Sequence, residues 1–296
     1  MIGPTAAITV VIAFGITFYI MPIFIRKMEE NGDVVNDMYK RFKHDVPTKG
    51  GLAVLFSIYL TVVIVPVFFR ILSKINTDVE VPATLSPTDQ AILLVIMMFA
   101  LYGIIDDLMN VGRPAKVILP IIFSLPLIVV VTPSSLTLPI LGEVDFNKGI
   151  TFPFIGTLRY ARITRYVIMP IYIMVVANLM NMHSGFNGLQ SGLSVILLAA
   201  LLIKSVIEDI EASIITLGAL TGAMGAFWLF NRYPSQIFEG NIGALAVGAG
   251  IGSIIVVNGF IISGFIMLIP HTVNLLLYVY WRAMRILRPE ERKFGL

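Results

Sequence analysis

Apolar runs of roughly twenty residues recur along the chain, each cut off by a short cluster of charged, amide or glycine residues. A helix needs about 20 apolar residues to cross the hydrocarbon core of a bilayer, fewer where protein shields it. On that rule the pattern predicts nine spans: 5–25, 51–71, 89–106, 115–132, 166–182, 190–207, 212–230, 242–257 and 259–281. Only Asn258-Gly259 divides the last two, which requires a tight turn. No repeat or low-complexity linker breaks the chain, so a single membrane domain, 1–296, is expected. The predicted fold class is an all-α polytopic membrane protein. One segment departs from the helical period. Residues 133–165 alternate apolar and polar positions (SLTLPILGEVDF, then ITFPFIGTLRY) around Asn147-Lys148-Gly149. That pattern reads as a small β-hairpin on the outer surface; an irregular Pro-rich loop fits the same residues.

Composition agrees with this pattern. With 57% hydrophobic residues, 13% charged and a mean hydropathy of +0.90, there is too much apolar surface for a soluble domain to bury. There is no cysteine, hence no disulfide framework or thiol chemistry. The first span is too long for a signal-peptide core and lacks a basic leader or small-residue cleavage site, so it reads as retained. A net charge of +3 is too small to imply a nucleic-acid partner. The distribution of charge is more informative. Of the 21 Lys and Arg, 14 fall in 26–50, 106–116, 182–190, 231–241 and the tail from 281, against 7 on the other side. The positive-inside rule then makes those loops cytoplasmic and puts the N-terminus outside, in a protein of the cell membrane.

The candidate chemistry collects on that predicted cytoplasmic face. In LYGIIDDLMNVGRPAKVILP (101–120), Asp106 and Asp107 close one apolar run and Lys116 opens the next. An ionised side chain at membrane depth costs about 2.5–3.5 kcal/mol on insertion scales, so such residues mark functional sites. Two neighbouring carboxylates with a cation nearby suit a divalent metal and a phosphate. Four further clusters share the face. NDMYKRFKHDVPTKGG (36–51) offers Lys40, Lys43, His44 and Lys49 before a Gly-Gly pair; a basic loop set by topology alone explains it equally well. NLMNMHSGFNGLQSG (178–192) holds Asn178, Asn181, His183 and Asn187 among glycines. Broken helix at membrane depth lines a cavity or lies within protein, and packing accounts for only one or two such polar residues. NRYPSQIFEGNIGALAVGAG (231–250) opens a span on Gly-Asn-Ile-Gly, where free N–H groups favour phosphate. There Phe238 could stack on a base, and Gly243 to Gly252 also read as a helix-packing face. In the tail RAMRILRPEERKFGL, Arg282 and Arg285 suit lipid headgroups, and Arg288, Arg292 and Lys293 suit either headgroups or phosphates. His271 reads as a hydrogen-bonded core histidine.

Taken in order, PTKGGLAVLF, DDLMNVGRPAK with its apolar run, NLMNMHSGFNGL and FEGNIG resemble the signatures of the polyprenyl-phosphate N-acetylhexosamine-1-phosphate transferases (glycosyl transferase family 4). SGFNGL is more similar to the AGxNGL of the archaeal and eukaryotic dolichyl-phosphate branch than to the DGxDGL of the bacterial muramoyl branch. The resemblance implies a ten-helix fold and transfer of N-acetylhexosamine 1-phosphate, GlcNAc-1-phosphate in the dolichyl branch, from a UDP-sugar to a polyprenyl phosphate. It implies Asp106, Asp107 and Lys116 as catalytic residues, and Asp107, Asn181 and Asn241 as the ligands of Mg²⁺ (or Mn²⁺). Lys40, His44, Asn178, His183, Asn187, Phe238, Arg288 and Arg292 would bind substrate, with Asn187 at the uracil and Phe238 near the uridine. The implied partners are the UDP-sugar, the lipid phosphate, the membrane and a second copy of the chain. Three features depart from the family pattern: Asn241 stands where the family has Asp, Gln190 follows NGL where relatives often have Glu, and nine spans are predicted where the family has ten. On those grounds the chain reads as a divergent or shortened member. Two other classes fit parts of the pattern: a catalytically weakened homologue acting as a nucleotide- or lipid-binding regulator, and an ion-coupled transporter. Against the transporter, its sites lie near the midplane, whereas these residues gather at one face.

Overall fold

The computed structural model describes residues 2–37, 45–75, 85–109, 111–112, 114–131, 135–138, 142–152 and 156–287, apart from the side chains of 116, 135–138, 142–144, 152 and 156. Helix α1 (Ile2–Glu30) leads into a short antiparallel pair, β1 (Val34–Asn36) with β2 (Asp45–Pro47), and then α2 (Gly51–Ile75) and α3 (Pro87–Met109). Next come α4 (Ala115–Phe123) and α5 (Leu125–Val130), then four strands, β3 (Ser135–Leu138), β4 (Gly142–Asp145), β5 (Gly149–Phe152) and β6 (Gly156–Arg159). The chain returns through α6 (Tyr160–Ile163), a π-helical turn (Thr164–Ile168) and α7 (Met169–Asn181). It finishes with α8 (Leu189–Ile207), α9 (Ile214–Asn231), α10 (Gly240–Val257), α11 (Ile261–Met267) and α12 (Ile269–Leu287).

Seven of the nine predicted spans are continuous helices long and apolar enough to cross a bilayer. The other two are modified by proline. The predicted last span is α11 and α12, bent by 57° at Leu268. Pro270 sits just past the bend; it has no N–H to offer the preceding turn, and its ring crowds that turn. The predicted fourth span is an apolar helix only over Val117–Val130, interrupted at Ser124 between Pro120 and Pro126. Its far end is closed by another element: the Arg165 guanidinium donates to the carbonyls of Ile128 and Val129.

The β structure also differs from the predicted hairpin. Strands pair within each half of 133–165, β3 with β4 and β5 with β6, and Asn147-Lys148 links two hairpins rather than turning one. The sequence reason is a Pro-x-x-Gly in each half, at 139–142 and 153–156; proline and glycine favour turns and disfavour continued pairing.

Helices α9 and α10 form the core, with 78% and 83% of their span windows buried. The first packs against α1 and α8, the second lies between α3 and α7. Lipid tails are as apolar as leucine, so helices in a bilayer associate by close packing at small residues. The expected glycine face behaves this way: a Cβ on Gly248 would lie 2.7 Å from the Cα of Ala177.

The loops before α2 and α10 are stitched together through the main chain. The Phe238 N–H donates to the Pro47 carbonyl (2.8 Å), Gly50 N–H to the Phe238 carbonyl (2.9 Å) and Gly51 N–H to the Glu239 carbonyl (2.9 Å). Here a Cβ on Gly51 would stand 2.3 Å from the Gly243 Cα. Over that junction lies the Glu239 side chain, 1% exposed. Among the described residues, neither of its carboxyl oxygens has a hydrogen-bond partner. Burial pushes this carboxyl up to about 8, with neighbouring Gln190 opposing the shift.

Two outcomes follow from this packing. Gly248→Leu overpacks the α7–α10 contact and costs about 1–3 kcal/mol, read as a lower melting temperature of the purified protein in detergent; an unchanged melt would show that the contact does not require glycine. Glu239 holds its proton in the fold, whereas the unfolded chain releases it near the ordinary value of 4.5. Its contribution is therefore most favourable below pH 4.5 and declines as the pH rises towards 8. Glu239→Gln should raise the melting temperature more at pH 8 than at pH 5, and equal effects at both would contradict a protonated carboxyl.

Candidate active site

The last turns of α3 carry the paired carboxylates, and a missing side chain brings them to α10. A Cβ on Gly103 would lie 2.7 Å from the Ile242 Cα, so the two backbones touch. Three and four residues later, one helical turn on, come Asp106 and Asp107. Adjacent helical residues point about 100° apart, and the two environments differ accordingly. Asp106 is 5% exposed; its Oδ1 accepts the Val111 N–H at 3.1 Å. Asp107 is exposed. The Asn241 amide nitrogen joins them, donating at 2.7 Å to Asp107 and at 3.4 Å to Asp106. The structure thus unites three of the predicted residues: Asp106, Asp107 and Asn241.

Beside them, α7 ends in the broken segment. Asn178 turns its amide back to the Met174 carbonyl (2.8 Å). The Ser184 hydroxyl donates to the Asn181 carbonyl (2.8 Å) and lies 3.4 Å from Asn181 Oδ1. Ser184 and Gly185 line a cavity of about 320 Å³ with Asp37, Thr48, Phe238 and Gly240. That volume is within the range of small-molecule sites. Its wall comes from the first loop, the 182–190 segment and the turn into α10, the three clusters expected to meet.

Asn187 is half-buried at the centre of these loops. Its Nδ2 donates to Asp37 (2.9 Å) and its Oδ1 accepts the Ser235 N–H (2.8 Å), so it ties three segments together. A second amide, Asn231, does similar work and sequence reasoning did not single it out. It accepts from Gly188 N–H (3.2 Å) and the Ser191 hydroxyl (2.6 Å) and donates to the Ile237 carbonyl (2.8 Å). The available signal was a lone amide closing an otherwise apolar helix. Lys49 is ion-paired with Asp33.

His183 is 2% exposed, with Nδ1 2.9 Å from the Leu179 carbonyl. Its ring meets His271 edge to face, centroids 4.7 Å apart, so as placed it faces protein rather than the cavity. His271 is buried as expected, yet among the described residues neither of its ring nitrogens has a hydrogen-bond partner, contrary to the predicted core hydrogen bond. Lys40, Lys43, His44, Arg288, Arg292 and Lys293 lie outside the described residues, as does the side chain of Lys116, second residue of α4.

Among the described residues, no three His, Asp or Glu side chains cluster. The oxygen donors present are two carboxylates beside an amide, a hard set of the kind Mg²⁺ takes. The Asn241 NH₂ is turned towards both carboxylates, where it partly offsets their repulsion.

Residues 90–259 match glycosyl transferase family 4. The chain is 28% identical over 271 residues, 90% of its length and 76% of the relative's, to a Saccharolobus solfataricus protein. That protein is named, provisionally, as a UDP-N-acetylglucosamine–dolichyl-phosphate N-acetylglucosaminephosphotransferase. A protein of the same name from Sulfolobus acidocaldarius is 28% identical over 274 residues, 91% of this chain and 76% of its own. A phospho-N-acetylmuramoyl-pentapeptide-transferase of Clostridium botulinum is 25% identical over 270 residues, 86% of this chain and 74% of its own. With more than half its length inside the matched region, the chain belongs to glycosyl transferase family 4.

Proposed function

We propose that the chain transfers N-acetylglucosamine 1-phosphate from its UDP-sugar to a polyprenyl phosphate of the dolichyl type, releasing UMP as the first membrane step of glycan assembly. The observation that carries this reading is the meeting of Asp106, Asp107 and Asn241 at one end of the bundle, next to a cavity bordered by Phe238 and Ser184. A phosphate oxygen of the lipid attacks the sugar-side phosphorus, the bond from that phosphorus to the UMP oxygen breaks, and UMP leaves with the electron pair. Such a step needs alignment and charge neutralisation more than covalent help from the protein.

Asp106, held by the Val111 N–H, orients the incoming lipid phosphate; that phosphate's second ionisation lies near neutrality, so no strong base is required. Lys116 offsets charge on the departing nucleotide phosphate. Phe238 offers a ring to the nucleobase at the cavity wall. Asn187 keeps the base-side loops in register from within, with its uracil contact an extension of that role. Asp107 and the amide oxygens of Asn181 and Asn241 would hold Mg²⁺, with Mn²⁺ a substitute, and Asn241 must rotate its amide to present oxygen. When bound, the ion neutralises the diphosphate and favours its cleavage. The excess of Lys and Arg in the loops of this face supports a cytoplasmic site in a cell-membrane protein with its N-terminus outside. The amide at 241 favours one rival, a homologue that keeps the cleft but turns over weakly, because a neutral ligand attracts a hard cation less than a carboxylate does.

Release of UMP from UDP-N-acetylglucosamine by the purified protein, supplied with a short polyprenyl phosphate and Mg²⁺, tests the reading; binding without release would favour the rival. Asp107→Ala should lower turnover by about 10²-fold or more, the scale seen when a charge-stabilising group is lost, and a fully active variant would end its assignment. Asn241→Asp should lower the Mg²⁺ concentration for half-maximal rate by about tenfold, as an added charged ligand tightens a hard-metal site. An unchanged metal titration would remove position 241 from the ligand set.

A further inference from the structure

The hairpin β5–β6 has two unlike faces. Its register sets Ile150 opposite Leu158 and Thr151 opposite Thr157. Side chains alternate along a strand, so each pair occupies one face. The threonine hydroxyls bond each other at 2.9 Å. The apolar pair stands open, Ile150 at 49% and Leu158 at 38% exposure.

The position of this open face is fixed by its anchoring. The Tyr160 N–H donates to the Lys148 carbonyl (2.8 Å) and the Ala161 N–H to the Phe146 carbonyl (2.9 Å). Tyr160 is the first residue of the span Tyr160–Asn181. The hairpin base is therefore bonded to the start of a membrane helix, and Leu158 lies two residues from it. That helix runs about 33 Å at 1.5 Å per residue to Asn181, so the hairpin is at the membrane face opposite the active site. Charge adds a second constraint. From 145 to 166 the sequence carries four cations, Lys148, Arg159, Arg162 and Arg165, and one acid, Asp145. Arg165 is engaged with the end of α5, and Asp145 accepts the Asn147 N–H at 2.8 Å. Lys148, Arg159 and Arg162 are exposed.

We propose that β5–β6 docks on the lipid surface of that leaflet, with Ile150 and Leu158 set into the headgroup–acyl boundary and Lys148, Arg159 and Arg162 meeting anionic headgroups. Apolar residues beside a basic rim are the pattern of interfacial elements, and each Lys or Arg near an anionic surface adds attraction that fades within a Debye length. This surface is independent of the transferase reading.

The chain has no cysteine, so single-cysteine variants report one site each. Ile150→Cys, Leu158→Cys, Thr151→Cys and Thr157→Cys, spin-labelled in the full chain, go into vesicles of phosphatidylcholine with phosphatidylglycerol. Collision with oxygen, which partitions into lipid, is compared with collision with a water-soluble nickel chelate. The expected result is an oxygen-to-nickel ratio several-fold higher at 150 and 158 than at 151 and 157, falling at 150 and 158 when phosphatidylglycerol is omitted. Equal nickel access at all four positions overturns the proposal. Protection of 150 and 158 from both reagents also overturns it, since that marks contact with protein such as a second copy. A ratio that ignores phosphatidylglycerol overturns the headgroup pairing.

Discussion

Two helices can bring main chain against main chain only where a side chain is missing, and at Gly103 the backbone of α3 lies against Ile242 of α10. Everything at the site follows from that approach. One turn beyond it the adjacent acids come within reach of the Asn241 amide. A Cβ at 103 would push the two backbones apart and strain the approach of the Asn241 amide to both carboxylates. The junction of Gly51 with Gly243 repeats the device one helix over, and there it fixes the loop that carries Phe238.

Much of this was legible in the pattern of residues. Seven spans follow directly from apolar length, because in a bilayer only a helix satisfies its own backbone. The association of 36–51, 178–192 and 231–243 could be expected because stranded polar residues at one membrane depth are stable only together. Other features depended on details that hydropathy averages away. Pro120 and Pro126 leave the fourth segment just as apolar while breaking it, and Pro270 bends the last. Around Asn147-Lys148-Gly149, strand alternation indicated β structure but not which strands pair: β3 pairs with β4 and β5 with β6, each across a Pro-x-x-Gly of the sequence. His183 reads from its polar cluster as a substrate-binding residue, and polarity alone does not give direction; just past the end of α7 its ring meets that of His271.

The amides divide into two groups with different work. Asn187 and Asn231 have donors and acceptors engaged across segments distant in sequence, so they hold loops together. Among the described residues Asn241 instead meets the two carboxylates, its NH₂ donating to both Asp107 and Asp106. An amide can exchange that role for its opposite by half a turn about one bond, presenting oxygen instead of N–H. The proposed role of Asn241 in holding a metal requires that half turn.

The brevity of the Val117–Val130 helix has a consequence for the surrounding lipid. At 1.5 Å per residue it reaches about 21 Å, against a hydrocarbon thickness of about 30 Å. Arg165, five residues into the span that begins at Tyr160, lies about 8 Å below that span's start by the same rise, which is close to the shortfall, and its guanidinium takes the carbonyls where the helix stops. Val117–Val130 is thus shorter than the span beginning at Tyr160 to which Arg165 joins it. A bilayer accommodates a segment this short by local thinning or by snorkelling of its polar flanks, at a modest elastic cost.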